Sequence, residues 1–211
     1  MGVTGNFLAV PDEDIRAVLE RPQRVTRLLY GDNEAETDIW DTGHPNVHVV
    51  TILPRSVHRG FRAVRSLLGR IQQQTSEADP WRPSTDREEL YVDKAWQGIH
   101  FLLTGNAMGG EPPLNFIVGG GTWTGDVETG AHALMNEDVV RLAEALESVP
   151  PDQLAHRFDP EKMMELEVYP ETWDRDPEEE SVGYLISYYT DLRDFVRRTA
   201  DRGFGLIVCV A

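Results

Sequence analysis

A single cysteine, Cys209, serves the whole of this 211-residue chain, and one thiol closes no intrachain disulfide. Secreted chains of this size often carry several, so a reducing cytoplasm is the expected compartment. Long apolar runs are missing as well. None approaches the roughly 20 residues a membrane helix needs, so no membrane span is expected. The opening MGVTGNFLAVPDED has neither the basic region nor the apolar core of a secretory signal. Positive charge is scarce: 20 Lys and Arg stand against 36 Asp and Glu, a formal net charge of −16. Such a field repels a polyanion, which argues against general nucleic-acid binding, and it draws in a cationic partner. Acidity of this kind also serves solubility.

Catalytic signatures are equally thin. His44 and His48 have the i,i+4 spacing of a metal pair on a helix, but Pro45 lies between them and opposes a helix there. There is no His-Glu-x-x-His and no paired cysteine, so no metal site is expected. Neither is a cofactor. No Gly-x-Ser-x-Gly elbow is present, and Cys209 sits in a terminal apolar strand, where a thiol is packing material rather than a nucleophile. Gly119-Gly120-Gly121 fits neither the P-loop spacing nor the dinucleotide fingerprint and reads as a turn after a strand.

What is present is a run of helices with a few strands. Asn6–Val10 reads as a strand ended by Pro11. Asp12 caps a short helix with Ile15, Val18 and Leu19 inward, and Pro22 opens a second that Gly31 stops. Residues 47–53 are rich in β-branched side chains and read as extended. From Ser56 to Gln74, Val57, Phe61, Val64, Leu68 and Ile71 recur at 4-3-4-3 on one helical face, with Arg55, Arg59, Arg62 and Arg70 opposite. Leu114–Val118 reads as a strand. Asn136 caps a helix with Val139, Val140, Ala143 and Leu146 inward. Pro151 and Pro160 open short helices, the second capped by Asp159. Pro170–Glu180 is acidic and irregular. A long helix runs from about Glu179 to Arg202, with Val182, Leu185, Tyr189, Leu192 and Val196 inward and Gly203 as its stop. Gly205–Val210 closes the chain as a strand with little polar alternation, interior to a sheet. The elements predict an α+β fold in which helices cover a mixed sheet, and no linker divides the chain, so residues 1–211 form one domain.

The segment DKAWQGIHFLLTG, Asp93 to Gly105, reads as a central helix with Asp93 as N-cap and Gly105 as C′ residue; it is apolar round most of its circumference and so covered on more than one side. Together with MGVTGNFLAV at Met1–Val10, PLNFIVGGG at Pro113–Gly121, RFDPEKM at Arg157–Met163 and VYPETWDRD at Val168–Asp176, followed by the long helix and closing strand, it resembles the YfbM-like family, a bacterial group filed as a domain of unknown function. The match spans most of the chain in the same order and is weakest from His44 to Ser84. The resemblance implies a domain with helices on both sides of a sheet. It implies no activity and transfers no catalytic residue.

Two candidate surfaces remain. His100 lies on or beside the apolar stripe of the central helix. As a packing group it ties one donor and one acceptor to a carboxylate or backbone carbonyl, since an unpaired buried polar group costs roughly 1–3 kcal/mol. As a working group it needs a cleft, with Trp96 as an aromatic wall and Asp159, Tyr169, Glu171, Trp173 and Asp174 supplying acids and further aromatics. General acid–base work would then fall to His100 with Asp159, Glu171 or Asp174, and ligand binding to Trp96, Tyr169 and Trp173. The face of Arg55, Arg59, Arg62 and Arg70 is either a solvated helix surface or a contact for an acidic partner, a second copy or a phosphate. The leading expectation is a cytoplasmic, non-catalytic binding or interaction protein whose acidity neutralises a basic partner. The alternative is a small-molecule-binding protein or enzyme with a pocket around His100, Trp96 and Tyr169–Asp174.

Overall fold

Leu206 and Val208 of the last strand enter one apolar cluster and Ile207 and Cys209 enter another. This strand, β5 (Phe204–Val210), and the first, β1 (Gly5–Pro11), therefore bury both faces: Phe7 and Ala9 join the first cluster, Leu8 and Val10 the second. A strand apolar on both sides needs cover on both sides. The computed structural model, which describes residues 2–31, 79–127 and 129–211, supplies it. Helices α1 (Asp12–Glu20) and α2 (Arg24–Tyr30) cover one face through Ile15, Val18, Val25 and Leu28. The other is covered by α3 (Trp96–Thr104), α4 (Asn136–Glu147), α5 (Pro151–Ala155), α6 (Pro160–Glu165) and α7 (Glu178–Asp201). This is a single-domain α+β fold with helices on both faces.

Among the described residues five strands run in the order β2-β1-β5-β4-β3, with β2 at Glu88–Tyr91, β3 at Thr122–Trp123 and β4 at His132–Leu134. Every pairing among the described strands is antiparallel, where a mixed sheet was expected. An unbroken apolar strand such as β5 is usual in parallel sheets, but here two-sided burial comes from helices that happen to lie on both faces. The expected strand at Leu114–Val118 is a run of turns instead. The amides of Val118, Gly119 and Gly120 all reach the Asn115 carbonyl, at 3.2, 3.0 and 3.1 Å, which rolls Phe116 and Ile117 into the core. On α4 the buried residues are Val139, Leu142 and Leu146, while Val140, expected inward, is 38% exposed. The extended segment at residues 47–53 and the arginine-faced helix, with Arg55, Arg59, Arg62 and Arg70, lie outside the described residues, as do His44 and His48. Among the described residues no helix is long and apolar enough to cross a membrane.

Helix α3 is enclosed on every side: all eight residues from Trp96 to Leu103 are buried. Gly105, at φ 73°, ends it with its amide on the Phe101 carbonyl at 2.7 Å. Its start differs from expectation. Asp93 does not cap it but begins a 3-10 turn, Asp93–Ala95, with its own φ at 46°. Gly98 is where α7 and Trp173 come closest. A Cβ there would stand 2.6 Å from Leu185 Cδ2 and 3.0 Å from two carbons of the Trp173 ring. Leu185 can yield, but the indole is held. Gly98→Val is therefore expected to lower unfolding free energy by about 2–3 kcal/mol through overpacking, read as a fall in the urea midpoint. A variant that unfolds at the wild-type midpoint would refute this close approach.

Candidate functional site

His100 is fully buried and neither ring nitrogen has a hydrogen-bond partner. Burial pushes its pKa down to about 4; the Gly109 backbone lies close enough to oppose that fall without completing a hydrogen bond. The imidazole is therefore neutral at ordinary pH. None of the acids nominated beside it hydrogen-bonds to it. Asp159 is exposed and caps α6, accepting the Lys162 amide at 3.0 Å. Glu171, at φ 60°, and Asp174 are exposed to water.

The aromatic candidates are brought together, and each is occupied. Trp96 stacks on Tyr169 with ring centroids 6.1 Å apart and 24° between planes, and its Nε1 donates to the Val3 carbonyl at 3.2 Å. The Tyr169 hydroxyl accepts the Val3 amide at 3.0 Å. Trp173 is buried, donates to the Val168 carbonyl at 2.8 Å and meets Phe158 edge-on at 6.3 Å. Together they pin the N-terminus and the irregular acidic segment onto α3. Sequence reasoning missed a fourth member, Gln97. Its Oε1 accepts the Tyr169 amide at 2.8 Å and its Nε2 donates to the Ala107 carbonyl at 3.0 Å. A glutamine next to an apolar stripe was the available signal.

The C-terminal end of α3 borders a groove of about 330 Å³, lined by Phe101–Gly105, Arg157, Asp159 and Lys162. Arg157 Nη1 donates to the Leu102 and Leu103 carbonyls at 3.2 and 3.5 Å, answering groups that the last helical turn leaves open. The Lys162 ammonium lies 5.8 Å from the Phe101 ring centroid. Elsewhere Cys209 is buried, its Sγ 3.2 Å from the Thr129 carbonyl, and burial pushes its thiol up to about 11. Among the described residues no group of three His, Cys, Asp or Glu side chains is gathered as metal ligands.

A family model described as "Domain of unknown function (DUF1877)" matches residues 1–209. Among solved structures, the chain is similar to a protein of unknown function, YfbM from Escherichia coli, at 18% identity and a TM-score of 0.59, over 99% of each chain. That likeness concerns the fold. No curated protein matches.

The His100 geometry has a pH signature. A folded pKa of about 4 lies below the ordinary 6.5, so between these values the unfolded chain binds the extra proton. Stability from this group is fully present above pH 6.5 and drains away as pH falls toward 4, by about 3 kcal/mol in all. His132, also depressed by burial, acts in the same direction. His100→Leu is expected to flatten the stability profile over that window. At pH 7.5 its urea midpoint should equal or exceed the wild-type value, because an unpaired polar group has gone. A marked loss of stability at pH 7.5 would mean that the ring nitrogens are bound after all.

Proposed function

The chain belongs to the DUF1877 family, a domain of unknown function, and from that premise we propose a binding protein that holds a basic protein partner on an acidic surface. One observation carries the reading. Between Asp159 and Glu180 there are ten acids, all exposed, against two bases, Lys162 and Arg175, and among the described residues none of the ten forms an ion pair. Elsewhere some carboxylates are matched: the exposed Glu147 and Asp86 by Arg193 and Arg202, and the half-buried Glu88 by Arg198. The acidic stretch is therefore charge left open to an outside cation, and complementarity of this kind steers association and selects partners. In the same reading the protein works in the reducing cytoplasm of a bacterium.

A small-molecule site is the second reading. The pocket imagined around His100, Trp96 and Tyr169–Asp174 has little to support it, since its aromatics are spent on internal bonds. The groove at the end of α3, with Arg157, Lys162 and Asp159 at its rim, is the better location for a small charged ligand.

The first reading predicts capture of a basic protein from lysate at about 0.05 M salt and its release by about 0.5 M, as screening shortens the reach of exposed charge. Reversing Glu165, Asp174 and Asp176 to lysine together should abolish the capture, while circular dichroism shows the fold intact. A set of retained proteins that ignores both salt and the triple reversal, or a bait that retains no basic protein at low salt, removes the proposal.

A further inference from the structure

Asp93 stands where β2, the 3-10 turn and α7 meet, and its half-buried carboxylate is ringed by tyrosines. Tyr184 donates to Oδ2 at 3.1 Å and Tyr91 reaches Oδ1 at 3.4 Å. Tyr188 completes the group: its ring meets Tyr184 edge-on, with centroids 5.1 Å apart and 75° between planes. Along α7, Glu180, Tyr184, Tyr188 and Asp191 recur at 4-4-3, so acid, tyrosine, tyrosine and acid share one face of the helix. Glu180 and Asp191 are exposed, Tyr91 is 52% exposed, and Tyr184 and Tyr188 are half-buried.

No lysine or arginine among the described residues pairs with Asp93. The arginines of α7 are engaged elsewhere: Arg193 with Glu147 at 2.6 Å, Arg198 with Glu88 at 2.7 Å, Arg197 with Asp194 at 3.7 Å. Tying the turn to α7 requires only the Tyr184–Asp93 bond; Tyr91 adds a second from a residue that is 52% exposed, and Tyr188, packed partly against the core, stays only half-buried. Aromatic faces beside an uncompensated carboxylate attract a cation from both the ring quadrupole and the full charge. Each Asp93 oxygen already accepts one tyrosine hydroxyl. That arrangement obstructs the two-pronged approach of a guanidinium and leaves room for the compact ammonium of lysine.

We propose that Tyr91, Asp93, Tyr184 and Tyr188 form a receptor for a lysine side chain of a basic polypeptide. This rests on the basic-partner reading above and narrows it to one place on α7.

The test is fluorescence anisotropy with a dye-labelled octapeptide of alternating lysine and serine at low salt, beside peptides carrying arginine or norleucine in the lysine positions. The wild type should bind the lysine peptide more tightly than the arginine one, and the norleucine one not at all. Tyr188→Ala and Asp93→Asn should each weaken lysine binding about tenfold; asparagine tolerates the left-handed backbone at this position. Tyr188→Phe, which keeps the ring, and Glu144→Gln, which removes an exposed charge on α4, should each stay within about twofold. Thermal melts establish that every variant is folded. If both cage variants bind as the wild type does, and only salt or the triple reversal at Glu165, Asp174 and Asp176 releases the peptide, the receptor is wrong while the acidic surface stands. Equal affinity for lysine and arginine overturns the choice of ammonium, and no binding of the lysine peptide at low salt overturns the receptor outright.

Discussion

Helix α3 has no face left for water, so each polar group along it must find its partner inside the protein. That constraint organises everything packed on it. The Trp96 indole reaches the Val3 carbonyl and the Gln97 amide group spans Tyr169 and Ala107. The Thr104 hydroxyl folds back to the His100 carbonyl at 2.8 Å. Chain segments remote in sequence are drawn onto one short helix because its side chains need them. Gly98 permits the closest of these approaches by having no side chain of its own. His100 is the exception to this pattern of satisfaction, with two ring nitrogens sealed and unpaired, which makes it a liability in acid rather than a tie.

Local rules carried a good part of the fold. The starts of α5 and α6 follow from Pro151 and Pro160, and Asp159 caps α6 as its position suggested. Helix α7 follows from its apolar period, and β5 from its unbroken apolar run. Gly31 and Gly105 stop their helices at positive φ. The failures share a cause. Strands β2, β3 and β4 have four, two and three residues, too few to establish a period of two; β2 and β4 exist because β1 and β5 offer edges to pair with, and β3 because β4 does in turn. Leu114–Val118 has strand composition, yet its amides converge on the single carbonyl of Asn115.

The burial of α3 was legible in its all-round apolarity, and with it the enclosure of His100. The assignment of Trp96, Tyr169 and Trp173 as pocket walls did not anticipate their internal bonds. The partners of the first two lie far along the chain: Val3 is 93 residues from Trp96 and Gln97 is 72 from Tyr169. Asp93 was misread for a related reason. An aspartate before an apolar helix usually caps it, but two tyrosine hydroxyls, one of them from α7, compete for this carboxylate.

Helix α7 joins the sealed interior to the charged exterior. Leu185, Tyr189, Leu192 and Val196 hold it against the core, and Tyr189 donates to the Val149 carbonyl at 2.6 Å. Its later turns carry arginines matched by Glu147 of α4, Glu88 of β2 and Asp194 of α7 itself, pairs near the surface that contribute little to stability but leave that side electrically closed. Its first turn carries Glu178, Glu179 and Glu180, favourably placed at the positive end of the helix dipole, and among the described residues no cation pairs with the face running from Glu180 through Tyr184 and Tyr188 to Asp191. The helix dipole accounts for acids in the first turn and no further. Asp191 lies more than two turns beyond Glu180, outside the reach of that field, and aromatic rings between two acids do nothing for a dipole. A feature shared by these four residues is affinity for a positive charge from outside, on a side of α7 where no described residue is paired with them as a cation.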